Sequence, residues 1–195
     1  MERSRSAFAA LGLLLACALG GCSSQDPVPK VAPASGMSES ASASASASAT
    51  PSGPVKPVMP AAAKKHTAAG AEAFVRFYWE MADYAQATGD TSGLSHLGSP
   101  GCKACHGGIR AIDVLYEQGG RIRGGGTSLS GFHTFRVSVD PPTYQVRVAI
   151  RNSKQVVQRP GDKHDEVYPP SVVHARFLVD LLDTHWSIGY WEDVS

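Results

Sequence analysis

From Ser23 to His66 the chain offers no aromatic side chain and almost no large aliphatic one. Glu39 to Thr50 reads Glu, then Ser and Ala in strict alternation, then Thr, and Pro27, Pro29, Pro33, Pro51, Pro54, Pro57 and Pro60 punctuate the rest. Such a stretch cannot bury enough apolar surface to offset the entropy of ordering it. The reading is therefore a disordered Ala/Ser/Pro linker over residues 22–66, kept partly extended by its prolines. Any core must be built downstream. All three tryptophans, all six tyrosines and every phenylalanine except Phe8 fall after residue 66. The remaining residues, 67–195, have the length of one globular domain.

Ahead of the linker, Arg3 and Arg5 precede an uncharged apolar run from Phe8 to Leu19. That run is short of the ~20 residues a spanning helix needs and suits the apolar region of a secretory signal. It ends in Leu19-Gly20-Gly21-Cys22, which resembles the lipobox of bacterial lipoproteins. The resemblance implies a signal peptide over residues 1–21 and a diacylglyceryl group on Cys22. A diacyl anchor holds stably at ~0.8 kcal/mol per buried methylene. The expected address is the extracytoplasmic face of a cell membrane.

Within 67–195 there are 12 Lys and Arg against 14 Asp and Glu, a formal charge of −2. Nothing in that balance suggests a nucleic-acid partner or attraction to anionic lipid. Phe74, Phe77, Tyr78, Met81, Tyr84 and Ala85 recur at helical spacing, with Thr67 placed to cap and Gly89 to stop the helix. Asp90 to Leu97 has room for a short second helix. A third is expected from about Cys102 to Gln118, with Ile109, Ile112, Leu115 and Tyr116 on one face and Gly119-Gly120 closing it.

The period then changes to two. Phe135, Val137 and Val139 alternate with polar residues, and Asp140 to Thr143 makes a turn. Val146, Val148 and Ile150 follow, then a loop from Arg159 to Pro170. Val173 to Leu181 and Trp186 to Trp191 form the closing strands, with Asp183-Thr184 between them. Helices followed by an antiparallel meander predict an α+β domain, its N-terminal helices packed on a curved antiparallel sheet. This order, ending in Trp186-Ser187-Ile188, resembles the cone-shaped SnoaL-like and nuclear-transport-factor-2-like fold. Phe77-Tyr78-Trp79, Cys102-Lys103-Ala104-Cys105, Gly119-Gly120 and the Trp-rich end also resemble an uncharacterised family of secreted actinobacterial lipoproteins. That family implies no assigned activity.

The sharpest local signal is Cys102-Lys103-Ala104-Cys105-His106. It matches the C-x-x-C-H of c-type haem attachment, with two thioethers and His106 as proximal ligand. No methionine follows Met81 to serve as a late distal ligand, and the strand-rich second half departs from a helical cytochrome. A redox dithiol is the second reading, since helix-start cysteines ionise readily. The third is a structural disulfide, because Cys102 and Cys105 are the two thiols left in an oxidising compartment once Cys17 is cleaved off and Cys22 is lipidated.

The disulfide is the reading taken, with no cofactor and no metal; haem c and thiol exchange stand as alternatives. Gly124-Gly125-Gly126 lacks the Lys-Ser/Thr of a phosphate loop. Asp162 to Glu166 reads as a solvated loop. Ser171, His174 and Asp180 are triad types, but on one strand they do not converge. Enzymes of the cone fold use carboxylates and a tyrosine in the cavity, and Tyr78, Asp83, Tyr84 and Asp113 are the residues here placed to line one. The expected role is a non-catalytic binding or accessory domain, its partner an envelope protein or a small apolar ligand; a cavity enzyme is a further alternative.

Overall fold

A computed structural model describes residues 53–195. Cys22, the signal segment and the Ala/Ser tract lie outside the described residues. Among the described residues, no helix is long and apolar enough to cross a membrane.

Helix α1 runs Ala68–Thr88. Thr67 Oγ1 accepts from Gly70 N at 3.1 Å, a cap that stabilises by about 1 kcal/mol. Gly89 ends the helix at φ 79°, a left-handed conformation that disfavours a side chain. Its apolar stripe is buried, with Phe74, Val75 and Ala85 fully inaccessible. The expected short second helix is a single 3-10 turn, Leu94–His96. Helix α2 spans Lys103–Glu117 and buries Cys105, Ile109, Ile112 and Leu115. The 3.6-residue period thus sets which face of each helix enters the core.

Seven strands follow: β1 Arg121–Gly124, β2 Thr127–Val139, β3 Pro142–Asn152, β4 Gln155–Gln158, β5 Glu166–Tyr168, β6 Ser171–Leu182 and β7 His185–Asp193. They form two antiparallel sheets, a four-stranded one ordered β2-β3-β6-β7 and a three-stranded one ordered β1-β4-β5. In the larger sheet, Val146 stands opposite Phe177, and Phe177 opposite Trp191. Every second residue of β6 from Ala175 to Leu181 is buried. The chain is α+β, two helices packed on antiparallel sheets. Register shifts interrupt β2 after Ser130 and Arg136, and β6 with β7 after Leu178. An extra residue at such a point bends the strand and increases its twist.

Two expectations need correction, and one alternating pattern faces outward. The folded body does not start at residue 67. Residues 61–64 form a 3-10 turn, Ala63 is fully buried and Met59 packs on the core. Lys56 Nζ also reaches Asp90 Oδ2 at 2.9 Å and Ser92 Oγ at 3.0 Å. A proline-rich composition excludes a self-standing core, but it does not stop an extended segment from docking onto one. The expected loop from Arg159 to Pro170 contains β5, which pairs with β4. Lastly, Phe135, Val137 and Val139 do alternate, but they face solvent. Leu129 and Phe132 are the apolar residues of β2 that pack on the core, because the two bulges change which side chains face inward.

Candidate functional site

Between α1, α2 and the small sheet lies an open groove of about 800 Å³, inside the size range of small-molecule sites. On α1, Tyr78, Trp79, Ala82 and Gln86 line it, and so does Trp191 of β7. On α2 the lining includes Ala104, Gly107, Gly108 and Ala111, spaced i, i+3, i+4 and i+7 and hence one face of the helix. Ile112 and Leu115 contribute apolar surface, and Ile122, Gln155 and Val157 come from β1 and β4. Along that one face of α2 the side chains are no larger than a methyl, which leaves room opposite the aromatic wall.

Gly107 and Gly108 sit inside the helix, where glycine costs about 0.5–1 kcal/mol each relative to Ala. A Cβ at either position would meet nothing within 4 Å. Packing in the fold therefore does not require them. Gly108→Ala is expected to raise stability by about 0.5–1 kcal/mol, seen as a higher urea midpoint at unchanged m-value.

The aromatic wall has a polar edge. Tyr78 and Trp79 meet edge to face at 5.9 Å, as do Trp79 and Trp191 at 5.9 Å. Among the described residues, Trp79 Nε1 is buried with no hydrogen-bond partner, an arrangement that costs free energy unless something accepts from it. Burial pushes the Tyr78 hydroxyl up to about 12, and the Trp191 indole N–H beside it pulls slightly the other way without reaching hydrogen-bond geometry. Gln86 accepts from Gln155 Nε2, tying α1 to β4. At the rim, Arg159 pairs with Glu166, which also accepts from the Tyr168 hydroxyl. Those contacts hold the Glu166 carboxyl below its ordinary range.

Of the four residues named for a cavity, only Tyr78 lines this groove. Tyr84 donates weakly to Asp90 at 3.4 Å, and Asp113 accepts from Thr91 Oγ1 at 2.7 Å. Asp83 Oδ2 accepts from Thr127 N at 2.8 Å and Thr127 Oγ1 at 3.0 Å, while its Oδ1 is buried without a partner. Burial pushes the Asp83 pKa above its ordinary value, against the two bonds from Thr127. Its stabilising contribution is thus present below the unfolded-state pKa and lost as pH rises through the folded one. Asp83→Asn is expected to gain stability relative to the parent as pH is raised from below the ordinary aspartate range to neutrality, in urea titrations at each pH. A difference that shrinks on raising the pH would contradict this.

Cys102 and Cys105 form a disulfide, S–S 2.03 Å, and both are buried. Cys102 Sγ also accepts from Cys105 N at 3.3 Å at the start of α2. A Cβ at Gly98 would approach Cys105 Cβ to 2.9 Å, so the bridge lies tight against the Leu97–Ser99 backbone, which hydrogen-bonds to Ile188 of β7. His106 Nε2 is 3.1 Å from the Ser99 carbonyl oxygen. Thioethers to a haem would consume the same two sulfurs. Cys105 lines the groove, which makes the bridge part of its wall. Ser171 accepts from Asn152 and Asp180 accepts from Thr143, each engaged separately along β6. Sequence reasoning missed Gln86, Gln155 and Trp191 as site residues. The Ala-x-x-Gly-Gly-x-x-Ala spacing on α2 is the signal that marks the groove.

Residues 39–192 match a family of unknown function, DUF6318. The chain belongs to it. No curated protein matches the sequence. Among solved structures, the DUF6318 chain is similar to the intermembrane space region of the chloroplast protein ARC6, at TM-score 0.53 and 12% identity over 67% of this chain and 98% of that one. That likeness is one of fold. A putative scytalone dehydratase from Novosphingobium aromaticivorans is similar at TM-score 0.41 and 14% identity, over 63% of this chain and 78% of that one. An uncharacterized protein with a cystatin-like fold from Caulobacter vibrioides gives TM-score 0.41 and 8% identity, over 63% and 84%.

Proposed function

We propose that this DUF6318 chain is a bacterial lipoprotein, anchored through Cys22 on the extracytoplasmic face of a membrane, whose domain binds a small, largely apolar molecule in the groove between α1 and α2. The observation that carries the binding role is the groove itself. It has the volume of a ligand site, an aromatic wall, and a buried indole N–H at Trp79 that lacks an acceptor. Sites of this kind combine apolar lining with a few placed polar groups. Asp83, Asp113 and Tyr84, the groups an acid–base enzyme would need in the cavity, are engaged elsewhere. That supports binding over catalysis.

The address rests on Leu19-Gly20-Gly21-Cys22 and on the tract that follows it. Two acyl chains hold a protein on a bilayer where one is marginal. Two measurements test the proposal separately. The full chain is expected to partition with membranes, and Cys22→Ala is expected to move most of it to the soluble fraction; equal partitioning would remove the anchor. The Cys22→Ala chain, free of its own acyl groups, is expected to bind the neutral probe N-phenyl-1-naphthylamine saturably, with a blue-shifted emission. An emission that rises linearly without saturation would remove the binding role.

A further inference from the structure

We infer that the groove's ligand is an anionic amphiphile, its apolar body against α2 and its charged head at Arg110. This rests on reading the groove as a ligand site. The residues lining it include two guanidinium groups, Arg110 and Arg159, and no carboxylate. Arg159 is already neutralised by Glu166. Arg110 makes no ion pair among the described residues. The carboxylate one turn further along α2, Asp113, accepts from Thr91. The mouth therefore presents one guanidinium, Arg110, that is paired with no carboxylate among the described residues, beside an apolar lining.

Geometry orders the two parts of the ligand. Gly107 and Gly108 leave the backbone of α2 open beside Arg110, and an added Cβ there would touch nothing. An unbranched apolar chain can lie along that face in contact with Ala104, Gly108 and Ala111. A head group at one end then meets the Arg110 side chain, whose planar fork suits a carboxylate or phosphate. A neutral head group would gain nothing from that guanidinium, and a cationic one would be repelled by it.

The test compares dodecanoate with dodecanol, below their aggregation concentrations, as competitors of N-phenyl-1-naphthylamine on the Cys22→Ala full chain. Dodecanoate is expected to compete at about two- to five-fold lower concentration, as an exposed charge pair allows. High salt is expected to erase the preference, and so is Arg110→Gln, an exposed substitution that leaves the helix intact. Gly108→Leu, which fills the groove from an open position, is expected to weaken both competitors. Equal competition by the two in the parent would keep the site and overturn its anionic character. A preference that survives Arg110→Gln would overturn the placement of the head group. Probe binding that never saturates, or saturates without displacement by either compound, would overturn the groove as the site, and this inference with it.

Discussion

Phe177→Ala is expected to lower the unfolding free energy by about 3–5 kcal/mol, the range for deleting a large aromatic side chain from a packed core. Phe177 is fully buried at the centre of the larger sheet. Its ring stacks on Trp191, with centroids 5.8 Å apart and planes 22° apart, and meets Tyr78 edge to face at 6.4 Å. Truncation therefore removes apolar burial, leaves a cavity and also loosens two residues of the groove wall. Small domains are stable by only about 5–15 kcal/mol in total, so the variant is expected near or past its threshold at physiological temperature. Urea unfolding of parent and variant measures it. A loss below about 1 kcal/mol, at unchanged m-value, would mean that Phe177 does not pack against Tyr78 and Trp191 as described.

Gly70→Ala is expected to destabilise by about 1–3 kcal/mol, against the sign that helix propensity alone gives. In an open helix the change would stabilise by up to about 1 kcal/mol. Here a Cβ at Gly70 would lie 1.7 Å from the Lys65 carbonyl oxygen and 2.7 Å from its carbon, and backbone atoms cannot rotate aside. That carbonyl accepts from Thr67 N at 2.9 Å and from Trp186 Nε1 at 3.2 Å. Displacing it strands the buried indole N–H of Trp186 and lifts the segment that carries Ala63. Protease sensitivity within residues 53–66 is expected to rise along with the loss in stability. Gly108→Ala has the opposite expected sign although the chemistry is identical. The pair thus separates a glycine that packing demands from one that it does not. Stabilisation by Gly70→Ala would show that residues 56–66 are not docked.

What was legible in the sequence was whatever a local period or cap encodes. Thr67 and Gly89 bracket α1, Gly119 follows α2, and the alternation from Val173 to Leu181 is β6, because each depends on neighbours close in the chain. Three things were not legible. The outer strands of the small sheet, Arg121–Gly124 and Glu166–Tyr168, are short and largely exposed segments with no apolar alternation to reveal them. The docking of Ala63 depends on Gly70 and Trp186, the latter more than a hundred residues away. In β2 the period was legible and the inward face was not, since a bulge moves side chains across the sheet without disturbing the composition. Tyr78 and the Cys102–Cys105 pair were readable as residues of interest. The groove was not, because it is defined by side chains that Gly107 and Gly108 lack and by β4, whose Gln155 has no chemical signature.

The most direct measurement is the two-dimensional ¹H–¹⁵N spectrum of the tryptophan indoles during titration with the neutral probe. The chain has three tryptophans, so there are three indole cross-peaks to follow, assigned by single Trp→Phe variants. Trp79 and Trp191 wall the groove, whereas Trp186 Nε1 is held by Lys65. Saturable shifts of the Trp79 and Trp191 peaks with Trp186 left in place are the expected result. Three unmoved peaks, or a shift at Trp186 alone, would contradict a ligand site between α1 and α2.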